Sequence, residues 1–274
     1  MKKRISSMMM VLLIPVLLLS ACGAMSEPEA PSAPIEAVPL AVADAPVAEA
    51  ENAYPDAEVA TPMTDSAQVE AADAYPAEEV VAPAAADAYP ADETAGEVTI
   101  YTITPEGSTV RFELDEDLRG SRITVVGQTD QVAGELALDL NNLAETQVGV
   151  MQINARGLAT DNNFRNRAIH NEILNTGNFE FITFAPTAVT GLPDSAAVGD
   201  TVEFTIEGNL TITDKTQPAT FNVTATMVSA DQITGTATAV VNRTDFGLNI
   251  PSVPNVANVE EEVDLIIEFT ANAS

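Results

Sequence analysis

The sequence predicts an all-β domain over residues 98–274, an antiparallel barrel of eight strands with one short helical segment. Apolar and polar residues alternate with a period of two at many points in this region, which is typical of strands with one buried face. Turn residues such as those at 190–194 separate the alternating runs. Closure of such a sheet removes its exposed edges and therefore favours a barrel. A sandwich of two sheets is the alternative.

The predicted strands differ in how clearly they alternate. The clearest run places Val202, Phe204 and Ile206 on one face and Glu203 and Thr205 on the other. One-sided strands of this kind belong to antiparallel sheets with one solvated face. The main runs are Val110–Leu114, Leu136–Leu140, Thr201–Thr213, Phe221–Met227 and Val263–Phe269.

One segment, Asp161–Leu174, has the pattern of a helix. Phe164 and Ala168 are four residues apart and would lie on one helical face. Asp161 is a suitable N-cap, and Gly177 follows as a stop signal. The segment is therefore predicted to be a single helical excursion from the barrel.

The N-terminus, residues 1–21, has the organisation of an export signal. Three basic residues at positions 2–4 precede an apolar stretch from Met8 to Leu19, and small residues lead to Cys22. The Leu-Ser-Ala-Cys ending resembles a bacterial lipobox, which implies acylation of the Cys22 thiol and cleavage just before it. An ordinary secretory signal is the alternative. The apolar stretch is short for a membrane span, which needs about 20 residues.

Cys22 is the only cysteine in the chain, so no disulfide can form within it. Acylation would explain why an exported protein has a single cysteine. We therefore expect an extracytoplasmic protein that is anchored by lipid to a bacterial membrane, in the periplasm or at the cell surface.

Residues 22–97 are predicted to be a disordered tether. The stretch from Gly23 to Glu97 has 17 acidic residues and no Lys or Arg, and it is rich in Ala and Pro. A coil of this length would span roughly 45–50 Å end to end. Ala-Tyr-Pro recurs three times, at 53–55, 74–76 and 88–90. We interpret the stretch as a linker, with docking motifs for an envelope protein partner as the alternative.

Charge restricts the partners of the folded part. Residues 98–274 contain 24 acidic and 8 basic residues, a net charge of −16. Nucleic-acid binding needs a basic surface and is therefore excluded. Electrostatic docking on anionic lipid head groups is also disfavoured, so membrane contact is expected to come from Cys22.

The sequence provides no convincing catalytic site. His170 is the only histidine, so a cluster of Cys and His metal ligands is excluded. No serine lies in a nucleophile-elbow pattern. We expect no catalytic residue, no metal and no obligatory cofactor, and we predict that the protein is not an enzyme.

Several short strings occur in order along the domain. Arg165–His170 follows Thr160–Asn163, and Asn178–Phe184 comes next. Gly208–Ile212 and Asn242–Gly247, which includes Arg-Thr-Asp-Phe-Gly, complete the series. This succession resembles the YceI-like family over residues 98–271. The resemblance implies a lipocalin-like barrel, exported from a bacterial cytoplasm, that holds a polyisoprenoid or a similar long apolar chain.

The resemblance also implies candidate ligand contacts. His170 would lie near the barrel mouth and make a polar contact with a ligand head group. An eight-stranded barrel can be filled by its side chains or hold one ligand, and the resemblance favours a tunnel lined by phenylalanines. The candidate lining residues are Phe112, Phe164, Phe179, Phe181, Phe184, Phe204, Phe221 and Phe246.

Two functional hypotheses follow. In the first, a membrane-tethered barrel binds an isoprenoid or quinone-like amphiphile and sequesters or transports it. In the second, the barrel core is filled, and the protein is a surface interaction module without a ligand. The sequence leaves the oligomeric state open.

Overall fold

Residues 26–40 and 98–274 are described by the computed structural model of the chain. The predicted signal peptide, Cys22 and residues 41–97 lie outside the described residues. No helix in the described ranges is long and apolar enough to cross a membrane.

The alternating runs form strands, as their pattern predicts. Inward residues of β-branched and aromatic type pack on the core, while threonines and glutamates occupy the outer face. The strands of the described part are β1 (Thr99–Ile103), β2 (Thr109–Leu118), β3 (Ser121–Thr129), β4 (Val132–Asp139), β5 (Asn142–Val148), β6 (Met151–Asn154), β7 (Phe181–Thr190), β8 (Thr201–Ile212), β9 (Lys215–Ser229), β10 (Gln232–Asn242), β11 (Val256–Ala257) and β12 (Glu262–Ala273).

Eight of these strands form a closed antiparallel ring in the order β1-β4-β6-β7-β8-β9-β10-β12, and β12 pairs back to β1. Tyr101 opposite Ala273 is one of the pairs that close the ring. Tyr101 is 1% exposed, and its hydroxyl donates to the Ala230 carbonyl at 2.6 Å. The barrel prediction is confirmed, and the sandwich alternative is wrong because the first and last strands hydrogen-bond to each other.

The long strand β12 pairs with two further strands along the same edge. Its first half pairs with β2, from Asp264 opposite Glu113 to Glu268 opposite Thr109, and its end pairs with β1. Strand β3 pairs with β2, and Gln128 of β3 bridges to Ala159. These strands extend the barrel wall at one end, beside the helical segment.

The helical segment is shorter and less regular than the sequence predicts. It consists of α1 (Asn163–Ala168) followed by a π-helical turn, Ile169–Ile173. Asn162, and not Asp161, is the N-cap, because its side chain accepts from the amides of Phe164 and Arg165. Asp161 instead pairs with Arg165 at 2.6 Å.

Residues Ser26–Leu40, which we call the strap, lie against the outside of the barrel. Ile35 of the strap is only 8% exposed. The Ser32 amide donates to Glu180 and the Leu40 amide donates to Glu135, each at 2.7 Å. This part of the predicted tether therefore contacts the folded domain, whereas a disordered tether would leave it free.

Candidate functional site

The barrel interior contains a cavity of about 400 Å³ at the end covered by α1, which we call the helical-end cavity. Its walls come from β2, β3, β12, the helical segment and the loop after Gly247. The apolar side chains that line it include Phe112, Leu114, Leu118, Val125, Leu158, Ile169, Ile173, Ile182, Val241, Phe246, Val263 and Leu265.

A few polar groups stand at this cavity. The Glu116 carboxylate is almost buried and accepts from Arg165 Nη2 at 3.0 Å. Arg165 also binds Asp161, and Asn162 lines the same wall. Asp161 is 87% exposed, so the group at the cavity wall is the Arg165–Glu116 pair, whose opposite charges compensate and which offers both a donor and an acceptor. Such a pair suits an uncharged polar head group.

A loop that follows Gly247 covers another side of the helical-end cavity. Gly247 has φ = 68°, a conformation that glycine adopts without strain. Arg243 holds this loop, since its Nη1 donates to the Leu248 carbonyl at 3.0 Å and its Nε to the Glu260 carbonyl at 2.9 Å. The residues of this loop that line the cavity are Leu248, Ile250, Pro251, Val253 and Pro254, and Val256 of β11 follows them.

A second, smaller cavity of about 110 Å³ lies further along the barrel, and we call it the far cavity. Its lining is apolar almost throughout. The residues around it include Leu136, Leu138, Leu143, Phe184, Phe204, Ile206, Phe221, Val223, Ala237, Ile267 and Phe269.

A layer of side chains separates the two cavities. On β7, Ile182 lines the helical-end cavity whereas Phe184, two residues on, lines the far cavity. The rings of Phe184 and Phe221 meet edge to face, with their centroids 4.8 Å apart. Leu210, opposite Phe184 on β8, is 2% exposed and lines neither cavity. The interior is therefore divided, with Phe184 at the boundary.

Six of the eight predicted phenylalanines line a cavity. Phe112, Phe164 and Phe246 line the helical-end cavity, and Phe184, Phe204 and Phe221 line the far cavity. Phe179 and Phe181 depart from the prediction, because neither lines a described cavity. Phe181 is 40% exposed on β7, next to the inward-facing Ile182.

His170 also departs from the prediction of a head-group contact. Its ring is 3% exposed and lies outside the described cavities. Nε2 donates to the Leu158 carbonyl at 2.7 Å, and Nδ1 faces the Thr176 hydroxyl at 3.4 Å. Burial lowers the pKa of His170, although the bond to Leu158 opposes part of this effect. The neutral imidazole therefore ties the helical segment to the barrel.

The loop after Gly247 is the part of the site that sequence reasoning missed. Its residues lie between two strands and show no alternation that marks an inward face. The available signal was composition, because Leu248–Val256 contains four Leu, Ile or Val residues and two prolines in an otherwise acidic region. Within residues 26–40 and 98–274, no group of three His, Cys, Asp or Glu side chains could hold a metal.

Comparisons with known proteins agree with this architecture. The family model described as the YceI-like domain matches residues 101–271. A UPF0312 protein of Shewanella sp. (strain W3-18-1) is 28% identical over 184 residues, covering 64% of this chain and 88% of that protein. A UPF0312 protein of Shewanella oneidensis is 30% identical over 150 residues, covering 53% of this chain and 73% of its own length.

A solved structure has a similar fold. The polyisoprenoid binding domain from Saccharophagus degradans, described as implicated in plant cell wall breakdown, superposes with a TM-score of 0.51 at 12% identity. The match covers 64% of this chain and 98% of that domain. Because the family model spans the closed ring and both cavities, this chain belongs to the YceI-like family.

Proposed function

We propose that this protein binds a long-chain apolar lipid, an isoprenoid or quinone-like amphiphile, and sequesters or transports it outside the cytoplasm. The observation that carries the proposal is the helical-end cavity, about 400 Å³ in volume and lined almost wholly by apolar side chains. This volume falls within the range of small-molecule sites, about 300–1,000 Å³. The polyisoprenoid-binding description of the similar Saccharophagus degradans domain supports the same ligand class.

The chemistry of the cavity suits such an amphiphile. Each buried methylene contributes about 0.8 kcal/mol before the costs of ordering the ligand. The tail therefore supplies most of the affinity, and few polar contacts are needed. The Glu116–Arg165 pair would orient the head group, because it can donate and accept a hydrogen bond at the cavity wall.

We further propose that acylation of Cys22 anchors the protein to a bacterial membrane. The basic residues, apolar stretch and Leu-Ser-Ala-Cys ending support this proposal. Several acyl chains would hold the membrane firmly, where one chain binds only marginally. Binding without catalysis is favoured, because the sole histidine is engaged with Leu158 and Thr176.

Two adjacent residues of β10 offer a matched test. Val241 lines the helical-end cavity, whereas Val240 is 62% exposed on the outer face. We expect native mass spectrometry of the purified wild-type chain to show a bound lipid. Val241→Trp should lower the bound fraction at least about tenfold, because the indole occupies the space of the tail. Val240→Trp should retain the lipid, because neighbouring strand residues face opposite sides of the sheet.

A wild-type barrel that carries no lipid, and takes up none from added prenyl alcohols or quinones, would contradict the proposal. That result would favour the interaction module with a filled core. Equal loss of lipid in both tryptophan variants would show that binding does not depend on the helical-end cavity.

A further inference from the structure

The strap is fixed to the barrel by a polar cluster near its N-terminal end. Arg156 is the centre of this cluster, and its side chain is 12% exposed. Its Nη2 meets Glu29 of the strap at 2.8 Å, and its Nη1 meets Glu180 at 3.2 Å. Arg156 also donates to the Ala30 carbonyl at 3.4 Å. The Arg156–Glu180 pair is mostly buried, whereas Glu29 is 64% exposed, so the strap is held here by one partly exposed ion pair and a backbone hydrogen bond on a fixed guanidinium.

The middle and the C-terminal end of the strap are attached as well. Ile35, near the middle of the strap, is 8% exposed. The Leu40 amide donates to Glu135 at 2.7 Å, and the Leu40 side chain lies against Gly149, where an added Cβ would meet it at 3.0 Å. The strap is therefore attached to the barrel near both of its ends.

These attachments change what the acidic stretch can do. Leu40 and Val98 both belong to the same compact unit of the chain. Residues 41–97 therefore join two points of one unit. A stretch that begins and ends on the same body cannot set the distance of that body from an anchor that precedes it.

The N-terminal end of the strap lies at the helical segment. The Ser26 carbonyl accepts from Asn171 Nδ2 at 2.9 Å, and Asn171 belongs to the π-helical turn whose Ile169 and Ile173 line the helical-end cavity. Cys22 precedes Ser26 by only four residues, which span at most about 14 Å. A free tether over residues 22–97 would allow roughly 45–50 Å.

The rim of the helical-end cavity has exposed apolar side chains at the same end. Phe164 lines the cavity from α1 and is 73% exposed, and Val253 lines it from the loop and is 43% exposed. An aromatic ring and an aliphatic side chain at a cavity entrance are suited to contact with a lipid surface.

We propose that the strap holds the barrel directly at the bilayer with the helical-end cavity facing it, so that lipid passes between the membrane and the cavity. This inference rests on the lipid anchor of the proposed function. The acidic stretch then has no role as a spacer, and the strap sets both the distance and the orientation of the barrel.

Fluorescence energy transfer from a donor on the barrel to an acceptor in the membrane tests the distance between the barrel and the bilayer. Acylated full-length protein is bound to phosphatidylcholine vesicles that contain a trace of head-group-labelled acceptor lipid. A donor is attached at Glu261→Cys, near the helical end, or at Val228→Cys, near the far cavity. Cys22 is acylated, so each protein has one free thiol. We expect the Glu261→Cys donor to transfer at least about twice as efficiently as the Val228→Cys donor.

Two kinds of variant distinguish positioning by the strap from positioning by a long acidic spacer: a deletion in the acidic stretch and substitutions that release the strap. Deleting residues 60–95 should leave the transfer efficiency unchanged. Releasing the strap with Glu29→Gln and Ile35→Asp should lower it at least about twofold. Val38→Asp is the matched control, because Val38 is 40% exposed in the same strap, and it should have no effect. Circular dichroism and native mass spectrometry of bound lipid confirm that the released variant keeps its barrel.

Several results would overturn the inference. A transfer efficiency that rises on deletion of residues 60–95, with no effect of strap release, identifies the acidic stretch as the spacer. Equal transfer from the two donors overturns the orientation. If mass spectrometry shows no acylation of any variant and none binds vesicles, the proposed acylation of Cys22 is wrong, and this inference is wrong with it. Lipid bound inside the same barrels would still support the proposed ligand binding.

Discussion

Phe184 is the residue at which the two cavities of the barrel are kept apart. Its ring packs against Phe221, and an added Cβ on Gly208 would come within 2.6 Å of it. The ring edge therefore lies against Gly208, and the side chain lines the far cavity. The length of tail that the helical-end cavity accepts depends on this side chain.

We expect Phe184→Ala to join the two cavities and to shift bound lipids towards longer chains. Removing a buried phenylalanine should lower the free energy of unfolding by about 3–5 kcal/mol, because a cavity is left behind. Urea denaturation measures the loss of stability, and native mass spectrometry measures the mass of bound lipid.

Phe269→Ala is the control for this prediction. Phe269 lines the far cavity and covers Gly235 on the neighbouring strand. Its removal should lower the free energy of unfolding by a smaller amount, because Phe269 is only partly buried, and should not change the chain length of the ligand. Equal ligand masses in both variants would show that Phe184 is not a barrier.

At the scale of elements, pairs of strands position aromatic rings against glycines. Phe112 lies opposite Gly127 on β3, and Phe269 lies opposite Gly235 on β10. A ring that covers a neighbouring glycine stays close to the wall of the sheet. The phenylalanines therefore line the barrel without filling it, which leaves room for a ligand.

The strap is the element whose attachment depends on pH. Burial by itself raises the pKa of Glu180, but hydrogen bonds from Ser32 and Asn154 and the charge of Arg156 outweigh this effect, so the pKa is lowered. A carboxylate with a lowered pKa stabilises the folded form above its ordinary value of 4.5 and loses this contribution as the pH falls through the lowered value.

We therefore expect the attachment of the strap to weaken as the pH falls from 4.5 through the lowered pKa of Glu180. Hydrogen exchange of peptides from residues 26–40, with intrinsic rates corrected for pH, should show protection at neutral pH and a loss of protection in acid. Glu180→Gln should weaken protection at neutral pH and reduce the acid response, because an amide cannot titrate. Glu207→Gln on the outer face of β8 is the control. An acid-induced loss of protection that is the same in the wild type and in Glu180→Gln would contradict the role of Glu180.

For the whole molecule, the closed ring and the cavity together imply that the ligand contributes to stability. A ligand that binds only the folded form adds about 2.7 kcal/mol when its concentration is 100 times Kd. Delipidated protein should therefore melt at a lower temperature than protein reloaded with lipid. Differential scanning calorimetry measures the shift.

The Val241→Trp variant is the control for this whole-molecule prediction. Its cavity is occupied by the indole, so its melting temperature should not respond to added lipid. A wild-type melting temperature that is independent of lipid would contradict binding to the folded state.

Much of the fold could be predicted from the sequence because alternation is a local property. In a strand every second side chain faces the same side of the sheet, so the apolar residues Val202, Phe204 and Ile206 indicate which face is buried. The candidate phenylalanines follow from the family resemblance and not from alternation, and six of the eight line a cavity. Phe179 and Phe181 do not, because Phe179 precedes β7 and Phe181 is its first residue, whereas the inward face of β7 begins at Ile182.

The sequence by itself determined the eight-stranded all-β class, the family, the acidic character and the export-signal pattern before Cys22. These properties follow from short-range order, namely alternation, motif succession and composition. Tertiary structure decided the rest. It determined that His170 is engaged by Leu158, that a loop without alternation lines the helical-end cavity, that Phe184 divides the interior, and that the strap lies on the barrel. Each of these depends on contacts between residues that are distant in sequence, such as Glu29 with Arg156, which no local pattern records.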